Sequence, residues 1–327
     1  IRSVILITVV AEFIGAVLLA FRFVPMFGPA DGIAYSIFHS ISAFCNAGFD
    51  IFGQGNNMVP FVNDALVNIV TMALIVTGGL GFFVILELKD IILRKKKRIS
   101  LHTKIVLCMT SILIITGFAV FVFAESNNPK TLGAAGAPTS EKILGSLFQS
   151  VTTRTAGFAS IPQADMMPIS KVTSLVLMFI GASPAGTGGG IKTTTFALLI
   201  LFVISIIKGR EDVEIFERRI NRHTVLKAVA TCAISAVLVF GVTAAIAVIE
   251  HGSASLGEVA YEVTSAFGTV GLSAGITPIL SPASKILLML LMYCGRVGVF
   301  TFTMALYIRL VKNKLNIHFP EEKLFIG

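Results

Sequence analysis

The chain has 327 residues, of which 55% are hydrophobic and only 13% charged, with a mean hydropathy of +0.88. A soluble domain cannot hide that much apolar surface, so the bilayer is the expected main solvent. The formal charge of +8 does not indicate nucleic-acid binding, because the cations sit in short blocks between apolar runs, as in cytoplasmic loops.

Taken in chain order, six stretches are long enough to cross a hydrocarbon core of roughly 30 Å as helices. They cover residues 3–24, 64–88, 104–124, 170–207, 225–249 and 282–311. The first is too long for a signal peptide and lacks a cleavage pattern. Glu12 is an isolated charge within it, explained as well by pairing or snorkelling as by a proton relay. Cys45, Cys108, Cys232 and Cys294 all fall in or beside apolar segments, and their spacing suggests neither disulfides nor a zinc site.

Three basic blocks separate the spans in pairs. The first is Lys89, the run Arg94 to Arg98, and Lys104; the second extends from Lys208 through Arg218, Arg219 and Arg222 to Lys227; the third is Arg309, Lys312 and Lys314. Two crossings between successive blocks put all three on one side, expected to be cytoplasmic. The other side carries Asp31, Asp50, Asp64, Glu125, Glu141, Asp165, Glu250, Glu258 and Glu262. These carboxylates either raise the local cation concentration over a pathway or belong to ordinary solvated loops.

Between the spans of each pair lies a shorter segment, at 33–44, 141–153 and 256–267, of a length suited to a re-entrant helix. Each ends in a similar turn: Asn46-Ala47-Gly48, Thr155-Ala156-Gly157 and Thr269-Val270-Gly271. The glycines at 48, 157 and 271 recur 109 and 114 residues apart. A unit of span, short helix, glycine turn and span therefore repeats three times, as in internally duplicated transport proteins. The expected fold is an all-α integral membrane protein of tandem M1-P-M2 repeats around a central ion pore.

Non-helical backbone at membrane depth survives only when buried in protein or lining a water-filled path. Glycine lets successive carbonyls aim at one axis, where they replace the hydration shell of a potassium ion. The turns carry no Asp or Glu, which favours a large monovalent cation over calcium or magnesium. The nine turn residues are thus the candidate selectivity filter. The alternative is close helix packing through small residues, which does not account for three turns in register. Arg154, beside the second turn, is expected either to brace the filter through carboxylates behind it or to reach outer water.

The stretch 170–207 is interrupted by Gly181 and Ala182 followed by the candidate gate residues Ser183, Pro184, Ala185, Gly186, Thr187, Gly188, Gly189 and Gly190. Proline removes a helix donor and each glycine disfavours helix by about 1 kcal/mol. An unwound loop in mid-membrane follows, with the helix restarting after Lys192. Residues 186–193 look superficially like a phosphate-binding loop, but Ile191 stands where that motif needs glycine. The loop is either a gate or an immobile packing kink. Arg296, in the middle of the last span, is expected to be a buried guanidinium that meets carbonyls freed in the loop, the two forming one barrier below the filter.

The turns at 46–49 and 155–158, the run 181–195 and the segment 266–273 resemble the Trk/Ktr/HKT superfamily of potassium transporters, most of all KtrB-type bacterial membrane subunits. The resemblance covers essentially the whole chain. It implies a pore of four M1-P-M2 repeats, a homodimer with one pore per protomer, and the broken helix as an intramembrane gating loop contacted by Arg296. It implies potassium uptake across the bacterial plasma membrane, with sodium as a possible activator. It also implies a cytosolic regulatory ring of KtrA or KtrC type that binds ATP or ADP, with no nucleotide on this chain and no covalent cofactor. The tail at 319–327 would fit a role at the dimer interface. Three repeats are read here, at 1–98, 99–222 and 223–311, followed by a tail at 312–327. Their order around the loop matches the family's second to fourth, so on the order of 110 further residues are expected before Ile1. A symporter strictly coupling potassium to sodium or protons is the competing reading. An intramembrane enzyme is disfavoured, since His39 and His102 lie far apart in sequence and no H-E-x-x-H occurs.

Overall fold

The computed structural model describes residues 2–53, 57–210, 212–302 and 304. The first repeat comprises α1 (Arg2–Phe27), α2 (Pro29–Phe44), α3 (Ala65–Leu80) and α4 (Phe82–Ile92). The second comprises α5 (Leu101–Glu125), α6 (Thr139–Thr152), α7 (Pro168–Phe179) and α8 (Thr193–Ile207). A hairpin of β1 (Val213–Ile215) and β2 (Arg218–Ile220) leads to the third repeat, α9 (Arg222–Ile249), α10 (Leu256–Gly268) and α11 (Pro282–Val297).

α1, α5 and α9 have 26, 25 and 28 residues and are long and apolar enough to cross a membrane; α3 and α4 reach that length only when taken together, across a sharp bend. Their outer faces expose large apolar side chains, among them Phe13, Phe21, Phe123 and Phe240. Such continuous apolar surface belongs against lipid. The protein is therefore a multi-pass membrane protein.

Local sequence sets the helix ends. Asp64 caps α3 by accepting from Leu66 N (3.1 Å) and Val67 N (3.2 Å), and its carboxylate also pairs with Arg22. Ser255 and Glu258 form a capping box on α10. The short helices α2, α6 and α10 have 16, 14 and 13 residues, too few to span. Their C-terminal halves are buried and rich in Ser and Thr, including Ser42, Ser150, Thr152, Thr264 and Ser265. The core thus lies around the pore helices, where these hydroxyls pack among buried apolar side chains such as Phe44, Phe148 and Phe267.

Two expected spans end early. The span read over 64–88 stops at Leu80, and the chain turns by 102° into α4. Gly81 makes the corner at φ +88°, and the freed Phe82 N donates to Ala185 O at 3.0 Å. The last span, read over 282–311, stops at Val297, where Gly298 takes φ +93°. Its continuation beyond residue 304 lies outside the described residues, as do Arg309, Lys312, Lys314 and the tail at 312–327. The stretch 170–207 is broken as expected, between Phe179 and Thr193.

The β hairpin was not anticipated in the second basic block. Val213 pairs with Ile220 and Ile215 with Arg218, around a two-residue turn at Phe216 (φ +48°) and Glu217 (φ +61°). Two adjacent positive φ angles mark the tight hairpin turn that matches strand twist.

Candidate ion pathway: three glycine turns above a docked loop

Each pore helix ends in the same backbone figure. Asn46 (φ +51°), Thr155 (φ +70°) and Thr269 (φ +50°) occupy the left-handed region, and Gly48, Gly157 and Gly271 follow at φ +70°, +89° and +95°. In the first turn Ala47 N donates to Ser42 O (2.8 Å) and Asn46 N to Ala43 O (3.2 Å). In the third, Val270 N donates to Ser265 O (2.8 Å) and Thr269 N to Ala266 O (3.0 Å). This is the Schellman ending, which consumes helix carbonyls and redirects the next residues. In the second turn Ala156 N donates to Thr152 O at 2.9 Å.

The turns meet. A Cβ on Gly48 would collide with Ala156 O, and one on Gly157 would collide with Val270 O. One on Gly271 would lie 3.9 Å from Gly157 Cα. Glycine is therefore required at 48 and 157 by close approach as well as by φ. Hydroxyls on the pore helices hold the outgoing backbone: Ser42 Oγ donates to Phe49 O (2.9 Å) and Thr152 Oγ1 to Phe158 O (2.6 Å). Ser265 Oγ accepts from Gly271 N at 3.2 Å. The Asn46 amide links the first two turns, lying 3.4 Å from Thr155 Oγ1 with its nitrogen side able to turn to Ile75 O and Ala43 O at 3.2 Å.

The loop between α7 and α8 sits directly beneath. Its ends are closed by a bridge between Ile180 and Ile191, by Ala182 N donating to Gly189 O (3.3 Å), and by Ser183 Oγ against Thr193 Oγ1 (3.0 Å). Lys192 Nζ donates to Gly188 O at 2.8 Å. A Cβ on Gly188 would strike Thr155 Oγ1, and one on Gly189 would strike Thr269 Oγ1. Thr187 Oγ1 donates to Phe44 O (3.1 Å), below the first turn. The loop therefore touches the foot of all three turns.

It is also docked sideways. Ser183 N donates to Gly79 O (3.0 Å) and Thr187 N to Gly78 O (3.2 Å). Pro184 lines the cleft beside α4. Ala185 takes φ +58°, Gly186 N bonds Ser183 O (3.1 Å) and Gly190 takes φ +69°. From the third repeat, Arg296 Nη1 donates to Thr187 O. Thr187 is thus the knot where the loop, α3 and α11 are tied together.

Three expectations are corrected here. Arg296 is exposed at the edge of the chain rather than buried, although it does meet a loop carbonyl. It stands one residue after Gly295, as Gly79 stands one after Gly78, and that position faces the loop rather than the core. Arg154 neither pairs with a carboxylate among the described residues nor reaches outer water. It is 7% exposed, its Nε has no hydrogen-bond partner among the described residues, and it borders a small cavity with Gly79 and Ala182. Three of the carboxylates expected on the outer side are structural ties. Glu125 accepts from Met167 N (2.9 Å), and Glu250 accepts from Ser281 N (3.0 Å) and Ser284 Oγ (2.6 Å). Each fastens the end of a long helix to the start of the next span. Glu262 accepts from Ala274 N (3.0 Å) and Thr277 Oγ1 (2.8 Å) behind the third turn.

Sequence reasoning missed Gly78, Gly81, Gly295 and Gly298. A Cβ on Gly78 would meet Phe44 O, and one on Gly295 would meet Phe267 O. Each therefore seats a pore-helix terminus on the following span. Their identical three-residue spacings in two repeats were the available signal.

Tandem repeats of long helix, re-entrant helix and inner helix, with backbone turns meeting above a polar loop, define a cation-transport class of membrane protein. The model of the TrkH cation transport protein family matches residues 1–316, and the chain belongs to that family. The potassium/sodium uptake protein NtpJ of Enterococcus hirae is 37% identical over 326 residues, covering 98% of this chain and 70% of that protein. The Ktr system potassium uptake protein B of Bacillus subtilis is 37% identical over 327 residues, covering 100% and 71%. Among solved structures, the potassium transporter TrkH from Vibrio parahaemolyticus superposes with a TM-score of 0.72 at 18% identity, covering 93% of this chain and 63% of that one.

Proposed function

We propose that the chain is the pore-forming part of a channel-like potassium uptake protein. Asn46, Ala47, Gly48, Thr155, Ala156, Gly157, Thr269, Val270 and Gly271 line its selectivity filter. The loop 183–190 with Lys192 is the gate, and Arg296 is its latch. The observation that carries this reading is that one loop contacts the foot of all three turns through Thr187, Gly188 and Gly189. A loop in that position blocks any ion leaving the turns, and its glycines permit the backbone changes needed to move it aside. The uncharged lining suits potassium, and the names of the Ktr and NtpJ relatives support potassium, with sodium as a second ion or activator.

The repeats at 1–98, 99–222 and 223–311 are the units of the pore, with the basic loops on the cytoplasmic side of the bacterial plasma membrane. The Ktr-system relatives support a multi-component assembly. In it, a homodimer of such subunits rests on a cytosolic ring that binds ATP or ADP. The test is rubidium uptake by the full-length protein in liposomes, with competing sodium, for Gly48→Ala, Gly157→Ala and Gly271→Ala. Rubidium preference that survives all three substitutions refutes the filter assignment. A fixed sodium or proton stoichiometry at every gradient would replace the channel reading with a symporter.

A further inference from the structure

The β1–β2 hairpin and the corner between α4 and α5 play no part in the pathway above, yet they enclose a cleft of about 880 Å³. Lys96, Arg98, Lys104 and Arg218 line it, against only Glu87 and Glu217. Glu87 is already engaged, accepting from Ser100 N (3.0 Å), Ser100 Oγ (2.5 Å) and Thr103 Oγ1, with Lys96 Nζ at 3.8 Å. Arg98, Lys104 and Arg218 make no ion pair among the described residues. Lys104 Nζ lies 5.3 Å from the centroid of the Phe216 ring at the hairpin tip. That contact seats the hairpin over α5 and leaves the ammonium charge unneutralised.

The second observation concerns what lies above these cations. On α5, Lys104, Cys108, Ile112, Ile115, Ala119 and Phe123 are all exposed. Their spacing of three or four residues places them on one face of the helix. Lys104 is therefore the foot of a continuous apolar stripe that ends at Phe123, which is 87% exposed. A cationic cleft joined to a lipid-facing apolar track has the two-part chemistry of a phospholipid. A soluble anion or an acidic protein segment would need the cations alone.

We propose that this cleft binds the phosphate of an anionic phospholipid, with an acyl chain laid along the exposed face of α5. Basic pockets at the membrane surface attract anionic headgroups by about fivefold for each cation. The bound lipid fastens the hairpin, and through it α8 and α9, to the α4–α5 corner that joins the first and second repeats.

The test uses the full-length protein and native mass spectrometry to count retained phosphatidylglycerol and phosphatidylcholine. Lys104→Gln with Arg218→Gln should weaken phosphatidylglycerol retention roughly thirty-fold. Arg94→Gln with Lys97→Gln removes the same charge from the same side, outside the cleft, and should change retention less than about twofold. Arg218→Gln alone, on an exposed strand, should give roughly fivefold if the double variant does not fold. Equal losses in the two double variants, or equal retention of the two lipids, overturn the proposal. Displacement of the lipid by millimolar glycerol phosphate would assign the cleft to a free anion instead. Loss of a co-purifying acidic protein without loss of lipid would assign it to a protein partner.

Discussion

Gly157→Ala and Gly271→Ala are a matched pair that tests the geometry of the turns. Both glycines lie at nearly the same backbone conformation, φ +89° and +95°. A side chain at either position carries the left-handed penalty of roughly 1–2 kcal/mol, a factor of about five to thirty in the population of the native turn. The surroundings differ. At Gly271 the nearest atom to a new Cβ is Gly157 Cα at 3.9 Å, an ordinary contact. At Gly157 the new Cβ falls on Val270 O, with Gly48 Cα only 3.4 Å away, so the carbonyl must move. Gly271→Ala should therefore lower thermal stability while keeping most of the rubidium preference over sodium. Gly157→Ala should lose the preference as well, because the atom displaced is a proposed ion ligand. Gly48→Ala, whose Cβ meets Ala156 O, should behave like Gly157→Ala. The assay is rubidium flux with sodium competition in liposomes, beside a thermal melt of each variant. Equal selectivity loss at 157 and 271 would refute the claim that carbonyl displacement, rather than backbone strain, is the cause.

Three further outcomes follow from the same contacts. Arg296→Gln removes a charge-assisted bond to Thr187 O, a class worth about 1.5–3 kcal/mol, so resting rubidium flux should rise at least about tenfold; unchanged flux would exclude the latch. Thr187→Val deletes the hydroxyl bond to Phe44 O, worth about 1 kcal/mol, and should raise flux about fivefold. Combined with Arg296→Gln the effects should be less than additive, since both act on one residue. Hydrogen bonds from Ser284, and then from Ser281, hold the Glu250 carboxyl down at about 2, below its ordinary 4.5. Its stabilisation is fully present above pH 4.5 and declines as pH falls toward 2. Glu250→Gln should lower the melting temperature at neutral pH and flatten its decline over that window, which a melt series in detergent will read.

What the sequence determined by itself is the set of demands the bilayer makes locally. Apolar run lengths mark where helices cross, and three 13- to 16-residue helices stand where short segments were expected. The glycine turns and the Pro-Gly interruption were legible because backbone permissiveness is a property of single residues. The tertiary structure alone decided how these pieces bear on each other. The 102° corner at Gly81 depends on Ala185, which takes the hydrogen bond of Phe82 from another repeat. Arg154 and Arg296 were both visible as unusual charges, but not that one lies buried without a carboxylate among the described residues and the other lies exposed against Thr187 O. The outer carboxylates read as a rim of charge, and Glu125 and Glu250 prove to be fasteners between helices. In each case the missing information is which distant backbone group a freed donor or acceptor meets. That is fixed by packing across the repeats, and no local pattern contains it.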